Sequence, residues 1–113
     1  IRAISVADTS DFGILRLIVN KPKEAVDALK NEGVSVSLTN VIAMGINDKP
    51  GEFAKAMRIL SDSTIDVEYM YAFISRESNK AFVILRVDEA ERAIKTLTEH
   101  KISILSAEQI YGM

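Results

Sequence analysis

VIAMGINDKPGEFAKAMRILSDSTIDV, residues 41–67, decides how the rest of the chain is read. Val41, Ile42, Ala43, Met44 and Ile46 form a short apolar run bounded by Asn47 and Asp48, the pattern of a strand buried on both faces and set inside a sheet. Pro50 has a fixed φ suited to a first helical position, and Asn47 or Asp48 can accept a backbone N–H as the cap. Phe53, Met57 and Leu60 then fall at i, i+4 and i+7, joined by Ala56, and predict a helix with one core-facing stripe. Lys55, Arg58 and Asp62 take the opposite face. Gly51 carries no Cβ, so an approaching group can reach the amides that a new helix leaves unpaired, and those amides favour an anion.

Working outward, Ile1 to Val6 and Ile14 to Val19 flank the turn-rich segment ADTSDFG and predict a hairpin. Asn20 and Pro22 open a helix in which Pro22, Ala25, Val26 and Leu29 share a stripe, Gly33 closes it, and a strand over Val34 to Leu38 follows. Beyond the central stretch, Val67 to Ile74 and Lys80 to Val87 predict a second hairpin around Ser75 to Asn79. Asp88 and Glu91 have capping-box spacing ahead of a helix that carries Ala90, Ala93, Ile94 and Leu97 on its stripe. Ile102 to Leu105 is the closing strand, with an extension through Ile110 and Tyr111.

These elements repeat. Leu15, Leu17, Val19, Pro22, Ala25, Val26, Leu29, Val34 and Val36 correspond at one constant offset to Val83, Leu85, Val87, Ala90, Ala93, Ile94, Leu97, Ile102 and Ile104. The second copy reads strand, helix, strand, strand, helix, strand over residues 41–113. The first copy, residues 1–40, begins only at its second strand. Both imply an α+β architecture with helices on one face of an antiparallel sheet, in which the first strand of each copy lies inside. Losing that strand would leave unpaired backbone and an open core, so about 30 residues, the size of a strand-helix unit, are expected ahead of Ile1. A partner chain or the C-terminal segment is the alternative source.

Composition limits the function classes. The chain has 113 residues, 48% hydrophobic and 27% charged, with no apolar run long enough to span a membrane. It has no cysteine, which excludes disulfides and thiolate metal sites and is compatible with the cytoplasm. A net charge of -2 supplies no general attraction for nucleic acid or anionic lipid. His100, the single histidine, sits at a helix C-terminus where its charge suits the dipole. No second metal ligand joins it. The carboxylates Glu89, Glu91 and Glu99 lie on a solvated helix face, and no nucleophile, acid and base can be named together. An RNA-recognition module shares the strand and helix order, and Lys80, Ala81, Phe82 and Val83 faintly echo its third strand. The second aromatic is missing and the net charge has the wrong sign.

Asp48, Lys49, Pro50, Gly51, Glu52, Phe53 and Ala54, followed by Ile65, Asp66 and Val67, resemble the ACT domain family. Residues 41–113 fit its βαββαβ, ferredoxin-like order and residues 1–38 fit the rest of a first copy. RAISVADTS at Arg2 to Ser10, FGILRLIV and EYMYAF are similar to small stand-alone tandem ACT proteins. The resemblance implies a non-catalytic regulatory module that binds a free amino acid between two copies and forms a homodimer. It implies no cofactor, and an enzyme or regulator as the output partner. The ligand loop would be Asn47, Asp48, Lys49, Pro50, Gly51, Glu52 and Phe53. The facing segment would be Ser5, Ala7, Asp8, Thr9 and Ser10. A ligand-free dimerisation or scaffold module is the alternative. Tyr69, Tyr71 and Phe73 alternate with Met70, Ala72 and Ile74, so this strand is apolar on both faces, and packing against a second sheet or chain explains it more simply than ligand contact. For Arg16 and Arg86, interface salt bridges are the plainer expectation.

Overall fold

An apolar run can sit inside a sheet only if strands on both sides take up its backbone groups. Residues 42–47 meet that condition. The computed structural model describes residues 1–8, 13–74 and 80–111. Its elements are β1 (Ala3–Asp8), β2 (Gly13–Ile18), α1 (Pro22–Asn31), β3 (Ile42–Asn47), α2 (Glu52–Asp62), β4 (Val67–Ile74), β5 (Lys80–Val87), α3 (Ala90–Glu99), β6 (Ser103–Leu105) and α4 (Ala107–Tyr111). The chain divides into two compact units, residues 1–39 with 107–113, and residues 40–106.

In the second unit the strands are ordered β4-β5-β3-β6, all antiparallel. β3 pairs with β5 from Ile42↔Leu85 to Asn47↔Lys80, and with β6 from Ala43↔Leu105 to Gly45↔Ser103. Alternation then sends Ile42, Met44 and Ile46 to one face, where they join Val83, Leu85 and Val87 of β5. Ala56, Ile59 and Leu60 of α2 and Ala93 and Leu97 of α3 close this core from the helix side. Met44, Leu85 and Leu97 are completely buried. β5 is buried on its other face too, where Phe82 stacks on Phe73 at 5.3 Å between centroids. β4 is the edge strand: Tyr69, Tyr71 and Phe73 are half-buried, and Met70, Ala72 and Ile74 are exposed.

The first unit holds the β1-β2 hairpin, paired from Ala3↔Ile18 to Asp8↔Gly13, with α1 and α4. The predicted turn at residues 9–12 and the loop Ser75 to Asn79 lie outside the described residues. Two expectations fail here. Val34 to Leu38 form no strand, and Val34 and Leu38 are 47% and 59% exposed. Their counterpart β6 pairs with β3 alone, and the first unit has no counterpart of β3, so this segment has no ladder to join. Ile110 and Tyr111 continue no strand either. The segment Ala107, Glu108 and Gln109 favours helix, and α4 forms.

Helices α1, α2 and α3 end alike. Val34, Ile65 and Ile102 donate their amides to the carbonyls of Leu29, Leu60 and Leu97, and Gly33, Thr64 and Lys101 donate to Lys30, Ser61 and Thr98. This is the Schellman closure, which requires a left-handed residue after the cap and joins two apolar side chains across the end. Gly33 meets the requirement at φ 79°, whereas Thr64 and Lys101 adopt it as non-glycine residues at φ 58° and 64°. His100 occupies the cap position of α3 and its Nδ1 donates to the Thr96 carbonyl at 2.9 Å.

The helix starts are less conventional. The predicted capping box of Asp88 and Glu91 does not form; Glu89 is the cap residue, without a side-chain bond to the helix amides. Its carboxylate instead meets Arg92 at 2.6 Å, and the same guanidinium donates to the carbonyls of Ser63 and Thr64 at the end of α2. Arg92 thus ties the finish of one helix to the start of the next. Its hydrogen bond, and then its charge, hold the Glu89 carboxyl below the ordinary carboxylate range. Arg86, expected in an interface salt bridge, pairs within its own unit, with Glu68 at 3.4 Å and with the Asn40 carbonyl at 2.8 Å.

Two outcomes follow from this packing. Leu97→Ala opens a cavity at a completely buried site and should lower stability by about 2–5 kcal/mol in urea denaturation. Because the Glu89 carboxyl is depressed in the folded state, its contribution is present at neutral pH and is lost as pH falls through and below the usual carboxylate range. The thermal midpoints of the protein and of Glu89→Gln should therefore differ at pH 7 and converge toward pH 3.

Candidate functional site

The predicted ligand loop runs from the end of β3 into α2. Asn47 closes the β3 ladder opposite Lys80, and its carbonyl accepts the Lys49 amide at 2.9 Å, which turns the chain sharply out of the sheet. The helix begins two residues later than the proline pattern implies. Pro50 precedes the cap, Gly51 is the cap residue, and Glu52 is the first helical residue. Neither Asn47 nor Asp48 caps the helix, since no side chain bonds its amides. Gly51 lies at φ 89° and ψ -17°, a left-handed conformation that redirects the chain before the helix can start. A Cβ added there would meet nothing within 4 Å, so the glycine is required by backbone geometry and leaves open space above it.

The Gly51 carbonyl accepts the Lys55 amide at 2.9 Å, and the Lys49 carbonyl accepts the Glu52 amide at 3.3 Å. The amides of Phe53 and Ala54 have no acceptor among the described residues. They sit at the positive end of the α2 dipole, where a carboxylate is the natural complement. Asn47, Asp48, Lys49, Pro50 and Gly51 are exposed, Glu52 is half-buried, and the Phe53 ring is 43% exposed instead of sealed in the core stripe. The loop is therefore an accessible rim on which, among the described residues, two amides find no acceptor and the exposed Asp48 carboxylate finds no partner.

The segment expected to complete the site belongs to the first unit. Ser5 and Ala7 point to one face of β1, half-buried, opposite Arg16 and Ile14; Asp8 points to the other face and is exposed. Thr9 and Ser10 lie outside the described residues. A groove of about 520 Å³ starts at Gly51 and follows the outer side of α2 past Lys55, Arg58 and Asp62 to Ser63 and His100. Sequence reasoning assigned these α2 residues only to a solvated face. Their spacing from Gly51 at i+4, i+7 and i+11 is the signal that places them on one stripe with the turn. Among the described residues no group of three or more acidic, histidine or cysteine side chains is placed to hold a metal ion. None of the described helices is long and apolar enough to cross a membrane.

The comparisons agree with this architecture. A crystal structure of protein BT0572 from Bacteroides thetaiotaomicron superposes with a TM-score of 0.91 at 36% sequence identity, over 99% of this chain and 76% of that one. No curated protein matches the chain. The family model described as an ACT domain pair matches residues 1–113, the whole of the sequence. ACT domains are generally regulatory, ligand-binding modules without catalytic activity of their own. The chain, with its α+β units of ferredoxin-like order and its internal repeat, belongs to the ACT domain family as an ACT domain pair.

Proposed function

We propose that the protein is a non-catalytic sensor that binds a free amino acid at the β3–α2 turn. The observation that carries this reading is the pair of free amides at Phe53 and Ala54, next to an exposed Asp48 and beneath the open space at Gly51. A zwitterion needs donors for its carboxylate and an acceptor for its ammonium. The two amides supply the first, and Asp48, Asn47 or the carbonyls at the end of β3 supply the second. Lys49, Pro50 and Glu52 fix the shape of the turn between them.

ACT domains typically bind amino acids and dimerise, which favours an amino acid over other small anions. The remaining contacts come from a strand of a neighbouring ACT copy, for which Ser5, Ala7, Asp8, Thr9 and Ser10 are the candidates. A homodimer in the cytoplasm, reporting to an enzyme or regulator, is the setting this reading implies. Its regulatory effect is limited to the difference in ligand affinity between two states of that assembly. The second reading, a ligand-free dimerisation or scaffold module, draws on the exposed Met70, Ala72 and Ile74 of the edge strand β4.

A thermal-shift panel of the free amino acids separates the two. A ligand at about 100 times its dissociation constant adds roughly 2.7 kcal/mol, several degrees for a protein of this size. One or two selective hits establish the sensor; a flat panel at millimolar concentrations overturns it in favour of the scaffold. Gly51→Val costs about 1–2 kcal/mol in the ligand-free protein, from backbone strain at a positive φ. It should also weaken the hit at least tenfold by calorimetry. Unchanged affinity in a folded Gly51→Val protein would remove the loop from the site.

A further inference from the structure

We infer that the amino acid bound by this protein is an acidic one, aspartate or glutamate, and that Lys55 and Arg58 hold its side-chain carboxylate. The inference rests on the amino-acid reading of the β3–α2 turn and names the ligand class that the groove beside the turn accepts. Ala54, whose amide is one of the two donors at the turn, also lines the groove that starts at Gly51 and follows α2. A ligand whose α-carboxylate rests on that amide therefore has the groove open to its side chain. At about 520 Å³ the groove is of the size that small-ligand sites take.

The groove selects by charge. Its lining carries two cations, Lys55 and Arg58, against a single carboxylate, Asp62. Ser63 and His100 add no negative charge to it. Position along the helix decides which of the three charges a ligand meets. Lys55 and Arg58 stand four and seven residues beyond Gly51 and Asp62 eleven, so at 1.5 Å per residue they rise roughly 6, 10 and 16 Å along the axis. Helical side chains lean toward the helix start, which brings the long arms of Lys55 and Arg58 back toward the turn. Asp62, with a shorter side chain set a further turn along, stays out of reach of an amino acid seated at Gly51.

Both cations are also uncommitted. Glu52 lies three residues before Lys55 and Asp62 four residues after Arg58, the spacings at which helical ion pairs form. Neither pair forms. The ion pairs of Lys21, Arg86 and Arg92 are made elsewhere, and among the described residues no carboxylate meets Lys55 or Arg58. An acidic amino acid answers every charge at the site: its α-carboxylate meets the amides, its ammonium meets Asp48, and its second carboxylate meets the two cations. A neutral side chain leaves Lys55 and Arg58 unanswered, and a basic one is repelled by them.

Calorimetry with L-glutamate and L-aspartate, set against their amides L-glutamine and L-asparagine, tests this. One of the acidic pair should bind at least tenfold more tightly than its amide. Lys55→Gln and Arg58→Gln should each erase most of that preference and leave binding of the amide unchanged, in variants that stay folded because glutamine suits an exposed helical position. Tighter binding of a neutral or basic amino acid, or an acidic preference that survives both variants, overturns the inference and leaves the amino-acid reading of the turn standing. That reading fails on a different result: glutarate or succinate, which lack the ammonium, binding as tightly as the amino acid, or no amino acid binding at all. Either result overturns the inference along with it.

Discussion

The structure depends on the double pairing of β3. All six of its residues pair with β5 on one side and Ala43 to Gly45 pair with β6 on the other, so the sheet takes up its backbone groups while Ile42, Met44 and Ile46 are buried and Ala43 and Gly45 half-buried. It fixes the register that sends Ile42, Met44 and Ile46 to the helix face and leaves the small Ala43 and Gly45 on the other. It also aims the end of the strand, and with it the start of α2, out of the sheet at one place. The first unit shows the same sequence pattern without that strand. Residues 34–38 then remain irregular and the stripe of α1 stays half open.

Much of this was legible from residue order. Apolar alternation and i, i+4, i+7 stripes located β3, α2, β5 and α3 because those segments bury a face, and burial imprints its period on the sequence. Leu29, Leu60 and Leu97 were legible as stripe positions for the same reason, and Gly33 marked the end of α1. Features set by partners were not legible. Val34 to Leu38 has the composition of a strand, yet a strand is defined by its neighbour, and none is present in this unit. Thr64 and Lys101 adopt left-handed geometry although neither side chain favours it, because the closing bonds from Ile65 and Ile102 and the burial of those residues over-determine the turn. Glu89 is exposed as read from the sequence, but its pairing with Arg92 was not legible, since the sequence could not show that this guanidinium reaches three acceptors at once.

The site shows the same division. The turn at residues 47–53 was visible as a proline and glycine between two periodic segments, and its opening toward solvent follows from Gly51. Which residue caps the helix was not visible. Asn47 and Asp48 are the residue types that cap, but a sharp turn closed by the Lys49 amide carries them away from the helix axis. Their failure to cap is what leaves the Phe53 and Ala54 amides without an acceptor among the described residues, with Asp48 exposed beside them. Pro50 and Gly51 thus shape a rim whose donors face outward, where capping would have consumed them.

The central claim is that the carboxylate of an amino acid rests on those two amides. The direct measurement is amide chemical shift by nuclear magnetic resonance as the amino acid is titrated into the protein. The account predicts that the Phe53 and Ala54 amide protons move downfield and saturate together, at the dissociation constant found by calorimetry. Saturable binding that leaves these two amides unmoved while others shift would contradict it.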